Sequence, residues 1–118
     1  MITNSLAYEK AYSFAIRIVN AYKFLKDKQE FVLSKQLLRA GTSVGANIAE
    51  ANGAISDSDF SAKISIVYKE ILETKYWLSL LKDTGYISPD TFNDVHEDAD
   101  EIAKMLYSIL KITRINKI

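Results

Sequence analysis

Residues 36–50 read QLLRAGTSVGANIAE and carry two helical stripes side by side. The first is apolar or small, recurs at steps of four and three residues, and is the kind of stripe that a helix buries. It comprises Leu37, Gly41, Val44, Ile48 and Ala51. The second stripe is mostly polar and comprises Gln36, Ala40, Ser43, Asn47 and Glu50. Because a solvated face would be richer in Lys and Glu, this polar row favours close helix packing with internal hydrogen bonds.

The composition limits the class of protein. At 118 residues the chain fits one domain, and it has no Cys, so neither a disulfide framework nor a Cys-based zinc site is possible. Fifteen basic and fifteen acidic side chains balance, which argues against binding that depends on neutralising many phosphates. The N-terminal residues lack a signal-peptide pattern and no apolar run is long enough to cross a membrane. We therefore expect a soluble, cytoplasmic protein that does not contact a membrane.

Four long helical patterns follow one another with short breaks. They predict helices at about 4–25, 33–51, 57–84 and 89–114. Ser56 and Ser88 are good N-caps, Pro89 suits a first helical position, and Gly53 and Gly85 stand where a left-handed residue would end a helix. Short connections make neighbouring helices antiparallel, so the sequence predicts an all-α, up-down-up-down four-helix bundle forming a single domain over residues 1–118.

Helices 1 and 3 carry more apolar side chains than one buried stripe needs. The predicted buried stripe of helix 1 comprises Tyr8, Ala11, Ala15, Ile18, Tyr22 and Leu25. Further apolar residues lie off the main stripes, among them Ile16 and Val19 on helix 1, and predict self-association through helices 1 and 3 or through the ends of the bundle. The residues proposed for this interface are Phe14, Ile66, Tyr76, Trp77 and Leu80. The alternative is that a four-helix core simply takes a wide stripe.

Two motifs carry a family resemblance across essentially the whole chain. Residues 39–51 read RAGTSVGANIAEA and residues 68–81 read YKEILETKYWLSLL. They resemble small four-helix-bundle proteins encoded within intervening sequences of bacterial 23S ribosomal RNA genes. The helix 2 pattern is matched by Arg39, Ala40, Ser43, Val44, Asn47, Ile48, Ala49, Glu50 and Ala51. The helix 3 pattern is matched by Lys69, Glu70, Glu73, Thr74, Tyr76, Trp77 and Leu78. Val44 stands where the family has Ile, and Ala51 where Gly is usual.

The resemblance implies a homo-oligomer, since similar proteins assemble as cyclic pentamers, and it implies no established enzymatic activity. Related proteins are accessory factors of diversity-generating retroelements, in which a strongly basic pentamer binds nucleic acid and a reverse transcriptase. The present chain differs from these in its balanced charge.

The polar row also has a purely structural interpretation. In an antiparallel hairpin with its turn near residue 55, Arg39 falls opposite Ile71, within reach of Glu70 and Glu73. A desolvated guanidinium needs such partners. We predict a hydrogen-bonded network that sets the register of helices 2 and 3. It comprises Arg39, Ser43, Asn47, Glu50, Glu70 and Glu73. The alternative is a ligand or nucleic-acid contact through Arg39, Asn47 and Glu50.

No constellation of residues predicts catalysis. The only His, His96, could pair with Asp100 on one helical face, but a di-iron bundle needs Glu-x-x-His and residue 93 is Asn. No Gly-rich phosphate loop or nucleophile elbow is present. We therefore predict no catalytic, cofactor or metal site, no small-molecule substrate, and a non-enzymatic self-associating assembly or accessory module. The alternative is an accessory protein that binds nucleic acid. Its candidate contacts are Lys23, Lys26, Lys28, Lys35, Lys111, Arg114 and Lys117.

Overall fold

The computed structural model describes residues 5–115 and shows an elongated bundle of 47 × 21 × 20 Å. Its elements are α1 (Ser5–Asp27), α2 (Leu33–Asn52), α3 (Asp57–Asp83) and α4 (Pro89–Leu110), followed by one π-helical turn (Lys111–Ile115). Each helix packs against its two neighbours, and α1 meets α4 least closely. The predicted all-α four-helix bundle is confirmed. Within residues 5–115, no helix combines the length and the apolar character that a membrane span needs.

The start signals of α3 and α4 act as predicted. Ser56 Oγ accepts a hydrogen bond from the backbone N–H of Asp59 at 3.0 Å, and Ser88 Oγ accepts one from the N–H of Thr91 at 3.1 Å. Pro89 occupies the first turn of α4, where its missing N–H costs nothing. These caps fix where two of the four helices begin.

The start of α2 depends on a residue that the sequence patterns did not single out. Glu30 is only 8% exposed, and its carboxylate accepts hydrogen bonds from the N–H of Val32 at 3.2 Å and of Ser34 at 2.6 Å. The Ser34 hydroxyl donates in return to the Glu30 carbonyl at 2.7 Å. Glu30 thus satisfies N–H groups that a helix start leaves without partners and places a negative charge at the positive end of α2.

The buried stripe of α1 agrees with the predicted one at Ala11, Ile18 and Leu25 and differs at Tyr8, Ala15 and Tyr22, which are exposed or half-buried. Ala7, Ala11, Phe14 and Ile18 are at most 1% exposed, whereas Tyr8 is 37% exposed. The prediction that Phe14 forms part of an interface is therefore wrong, because its ring lies inside the bundle. Two heptad stripes overlap on this helix. Burying the stripe that contains Tyr8 and Tyr22 would have removed the hydroxyl groups of these tyrosines from water.

Gly41 lets α1 and α2 approach each other closely. A Cβ added there would lie 2.7 Å from Ile18 Cγ1 and 2.8 Å from Ile18 Cγ2. One added at Gly45 would lie 3.6 Å from the backbone of Ala11, which is ordinary contact. The close approach of the two helices therefore requires glycine at position 41, while Gly45 has room for a methyl group.

The helix ends differ in their need for glycine. Gly85 follows α3 with φ 85°, and the N–H of Tyr86 donates to the Leu81 carbonyl at 2.9 Å, as in a left-handed cap. Gly53 has φ −97°, so the predicted left-handed conformation is absent at the end of α2. Gln29 adopts φ 65° after α1, with the Glu30 N–H donating to the Leu25 carbonyl at 2.9 Å. A non-glycine residue therefore occupies a left-handed cap.

Replacing Gln29 with glycine is expected to raise the free energy of unfolding by about 0.5–1 kcal/mol. Glycine removes the strain of the left-handed conformation, and this gain is larger than the loss that comes from the greater conformational entropy of glycine in the unfolded chain. Gly85→Ala is the matched control and should lower the free energy of unfolding. Nothing lies within 4 Å of the added Cβ, so only the left-handed backbone conformation disfavours the alanine. Urea unfolding of both variants measures the two effects. A Gln29→Gly variant less stable than wild type would contradict the expectation.

Candidate functional site

The polar row of α2 faces α3 across an outer groove. The Arg39 guanidinium forms an ion pair with the Glu73 carboxylate, and Arg39 Nη1 lies 3.8 Å from Glu70 Oε2. Gln36 Oε1 accepts hydrogen bonds from Arg39 Nε at 3.3 Å and Nη2 at 3.2 Å. Trp77 Nε1 donates to Glu73 Oε2 at 2.9 Å. Arg39 and Glu73 therefore stand at the centre of a contact that ties α2 to α3.

A second tie lies one turn further along the same groove. Ser43 Oγ lies 2.9 Å from Glu70 Oε2 and 2.7 Å from the carbonyl oxygen of Ala40. Because Arg39 also approaches Glu70, the two ties share one carboxylate. Arg39, Ser43, Glu70 and Glu73 thus bridge α2 and α3.

The groove is more open than the sequence led us to expect. The Arg39 side chain is 52% exposed, and those of Glu70 and Glu73 are 23% and 37% exposed. The expectation of a desolvated guanidinium is therefore wrong. Since solvent screens such pairs, removing Arg39 should cost at most about 1 kcal/mol.

Two members of the predicted network do not join it. Within residues 5–115, the Asn47 amide and the Glu50 carboxylate make no hydrogen bond, and Glu50 is exposed. Gln36 and Trp77 take part instead. The spacing of these residues in the sequence could have indicated their contacts. Gln36 precedes Arg39 by three residues and Trp77 follows Glu73 by four, so the members of each pair lie on one helical face.

The surroundings of Glu73 lower the pKa of its carboxyl group. The hydrogen bond from the Trp77 indole is the largest cause and the Arg39 guanidinium adds to it, while burial acts in the opposite direction. These contacts favour the charged form. The carboxylates of the groove thus accept donors from their own chain, an arrangement that holds two helices together.

This lowered pKa predicts a pH dependence of stability. A group whose pKa is depressed by folding stabilises the fold above its ordinary pKa, and the contribution disappears as pH falls through the lower, folded value. The stability difference between wild type and Glu73→Gln should therefore shrink as pH is lowered from 7 through the ordinary glutamate pKa of about 4.5. Trp77→Phe, which keeps a ring but removes the N–H donor, should lose part of this dependence. A difference that stays constant down to acid pH would contradict the assignment.

The remaining predicted interface residues lie on α3 at different depths. Ile66 is 51% and Tyr76 59% exposed, whereas Trp77 and Leu80 are half-buried. The rings of Tyr76 and Trp77 meet edge to face with centres 5.0 Å apart. On α1, Ile16 is 49% exposed, as is consistent with its place among the excess apolar residues, and Tyr12, which the sequence did not single out, is 58% exposed. Apolar surface is thus present on both helices.

The candidate nucleic-acid contacts do not form one surface. Lys23, Lys26, Lys28 and Lys35 are exposed and surround the α1–α2 connection. Lys111 is exposed beyond the end of α4, at the opposite end of the bundle. A helix of the length of α4 separates these ends by about 33 Å. The side chain of Arg114 and all of Lys117 lie outside the described residues.

The surroundings of His96 are those of a structural contact. Its ring stacks on Phe92 with centres 4.7 Å apart, and Nδ1 lies 3.4 Å from Asp100 Oδ2. Asp100 also pairs with Lys75 on α3, and this hydrogen bond is the main cause of the lowered pKa of its carboxyl group. Among the described residues, no three His, Asp or Glu side chains are placed to hold a metal ion.

A family model described as 23S rRNA-intervening sequence protein matches residues 3–108, from before α1 to the last turn of α4. The chain belongs to this family. The family assignment that the two motifs predicted is therefore confirmed. No curated protein matches the chain.

A solved structure agrees with this membership of the 23S rRNA-intervening sequence protein family. It is the crystal structure of a protein with unknown function from the S23 ribosomal protein family of Bacteroides thetaiotaomicron VPI-5482. The sequences are 50% identical, and the match covers 90% of this chain and 99% of that chain with a TM-score of 0.88. Both comparisons place the chain among four-helix proteins of this family, and neither name states an activity.

Proposed function

We propose that this chain is a non-enzymatic assembly module that associates with copies of itself. The observation that carries the proposal is the apolar surface of α1 and α3. Exposed fractions are 58% for Tyr12, 49% for Ile16, 51% for Ile66 and 59% for Tyr76. Large apolar side chains exposed on the surface of a small domain are candidates for protein contact.

The outward side of α4 provides a contrast within the same molecule. Most of its exposed residues are polar or charged, among them Asp90, Asn93, Glu97, Glu101 and Lys104, while Tyr107 near its end is 53% exposed. The polar row between α2 and α3 is also occupied by contacts within the chain. These features support association through α1 and α3. The family resemblance implies a cyclic assembly of five copies.

Sedimentation velocity at micromolar concentration tests the proposal. We expect a species whose mass is a multiple of 13.3 kDa at both low and high salt. Burial of apolar surface does not weaken when salt screens charges, so high salt should leave the assembly intact. A single 13.3 kDa species under both conditions would refute self-association.

The α1–α2 end supports a second candidate function, binding of single-stranded nucleic acid. Four exposed lysines surround it, and the rings of Phe24 and Phe31 are 47% and 49% exposed among them. Lys28 Nζ lies 4.9 Å from the centre of the Phe24 ring. Aromatic rings beside positive charges are the usual platform for unstacked bases.

Binding of a fluorescent single-stranded RNA between 50 and 200 mM salt tests this candidate, because affinity that depends on phosphate contacts falls steeply over that range. Gln should be substituted for Lys23, Lys26, Lys28 and Lys35 together, with Lys104→Gln on α4 as control. Loss of binding only in the first variant supports the candidate. Absence of binding by wild type at low salt argues against it.

A further inference from the structure

Two cavities lie end to end between α1 and α4, the neighbouring helices that meet least closely. The lower one has a volume of about 260 Å³, and the upper one, nearer the α1–α2 connection, has a volume of about 370 Å³. The ion pair between Arg17 and Asp98 lies where they meet, since Asp98 lines the lower cavity and Arg17 the upper one. Together they form one groove, here called the α1/α4 groove, which is lined on α1 by Leu6, Lys10, Ser13, Arg17, Asn20 and Phe24.

The α1/α4 groove has an apolar floor and an apolar side chain at each end. Buried core residues form the floor, among them Phe14, Val95 and Ile102. At the lower end Leu6 is 55% exposed, and at the upper end Phe24 is 47% exposed. From Leu6 to Phe24 the groove rises by about 27 Å, which is about five turns of helix.

Both bases that line the groove are already neutralised by acids of α4. Lys10 pairs with Glu101, and Arg17 pairs with Asp98. Arg17 Nη1 also lies 3.5 Å from the backbone carbonyl oxygen of Asp94. These contacts join α1 to α4 across the groove and leave neither base to attract an anionic partner.

Two carboxylates of the groove have no such partner. Glu9 lines the lower cavity and Asp94 the upper one, and both are exposed. Among the described residues, neither carboxylate forms an ion pair or a hydrogen bond. Because Lys10 meets Glu101 and Arg17 meets Asp94, the heights of Glu9 and Asp94 differ by about 12 Å, or about two helical turns. The groove therefore presents two free negative charges at this spacing.

We infer that the α1/α4 groove receives an amphipathic helix of a partner protein, with Lys or Arg side chains about two turns apart that meet Glu9 and Asp94. A straight groove five turns long suits a helix, whose apolar stripe would contact Leu6 and Phe24. The free carboxylates attract positive charges beside that stripe and repel the phosphates of a nucleic acid. This surface goes beyond the proposed self-association, because Tyr12 lies on the α2 side of α1.

The size of the contact indicates its strength. A helix about 10 Å wide covers about 270 Å² along a groove of about 27 Å. This area is well below the roughly 800 Å² that each partner contributes to a standard interface, and contacts of such a size are weak and transient. We therefore expect a dissociation constant on the order of 10–100 μM.

A fluorescein-labelled helical peptide of about 18 residues, built from alanine and glutamine, tests the inference by fluorescence anisotropy. It carries leucines at every third or fourth residue and two lysines beside that stripe, two turns apart. We expect saturable binding to wild type at about 50 mM salt, where charges are little screened. The same peptide with glutamates in place of the lysines should not bind. Absence of saturable binding by the lysine peptide, or equal binding by the glutamate peptide, overturns the inference.

Glu9→Gln combined with Asp94→Asn removes the two free carboxylates and keeps both ion pairs. We expect this variant to bind the lysine peptide about tenfold more weakly than wild type. Glu50→Gln combined with Glu97→Gln is the matched control, because it removes the same charge from exposed residues outside the groove. Its affinity should stay within about twofold of that of wild type. Equal weakening in the two variants would show a general attraction between charges and overturns the inference.

The mass in solution separates this contact from self-association. Ala21→Gln places a longer side chain in the upper cavity and should weaken peptide binding at least about tenfold, with helical content by circular dichroism and mass as in wild type. Unchanged peptide binding in this variant overturns the inference. A lower mass would show that the groove holds a second copy of this chain, which also overturns it. A wild type that is a single chain and still binds the lysine peptide refutes self-association and supports the inference.

Discussion

Replacing Phe14 with alanine is expected to lower the free energy of unfolding by about 3–5 kcal/mol, the usual loss for truncating a buried aromatic ring. The side chain is 1% exposed and packs among buried residues of the core. Truncation removes the transfer free energy of the ring and leaves a cavity that the surrounding helices fill only in part. A loss of this size would be a large part of the stability of a small domain.

Phe24→Ala is the matched control, since it is the same change on the same helix at a residue that is 47% exposed. The expected loss is about 1 kcal/mol or less. Both variants should be unfolded in urea at the same chain concentration as wild type, because association adds to apparent stability. Similar losses at the two positions would contradict the placement of Phe14 in the core.

The second large effect is expected where Gly41 of α2 packs against Ile18 of α1. Gly41→Ala should lower the free energy of unfolding by about 1–3 kcal/mol, the usual cost of overpacking. The new Cβ would lie 2.7 Å from Ile18, whose side chain is fully buried and has little space to move. Helix propensity acts in the opposite direction, since alanine is about 1 kcal/mol better than glycine within a helix. The steric term should prevail because the clash involves core atoms.

Gly45→Ala controls for helix propensity, because it makes the same change one turn away with ordinary contacts of 3.6–3.7 Å. It should leave stability unchanged or raise it by up to about 1 kcal/mol. A third variant, Gly41→Ala with Ile18→Ala, removes both Ile18 Cγ1 and Cγ2, so it should lose less stability than the sum of the two single substitutions. A Gly41→Ala variant as stable as wild type would show that the two helices separate at no cost.

The sequence predicted most of the fold because its helix signals are local. Ser56 and Ser88 cap α3 and α4 through N–H groups three residues away, and Pro89 and Gly85 act at single backbone positions. Such signals do not depend on what packs around them. The cap of α2 was not predicted, because Glu30 is not a usual N-cap residue and lies in the connection before the helix.

The burial of α1 could not be settled from periodicity. Ala11 and Ile18 belong both to the stripe through Tyr8 and Ala15 and to the one through Ala7 and Phe14, so the heptad spacing fits either. The choice depends on the angle at which α1 meets α2, which Gly41 sets by admitting Ile18. The contact between Gly41 and Ile18 joins residues that are distant in the sequence, so the periodicity of α1 alone does not reveal it.

The sequence predicted which residues of the candidate site contact one another, but it did not predict how exposed their side chains are. The antiparallel register was enough to bring Arg39 to Glu70 and Glu73. How much water reaches them depends on the width of the outer groove, which no spacing along the chain encodes. Asn47 lies outside the network because, among the described residues, no side chain of α3 forms a hydrogen bond with its amide.

The proposed self-association through α1 and α3 should be visible in light scattering coupled to size-exclusion chromatography over a range of concentrations. We expect one plateau mass, equal to 13.3 kDa multiplied by a whole number of at least three, as in a closed ring. A mass of 13.3 kDa at every concentration would contradict it.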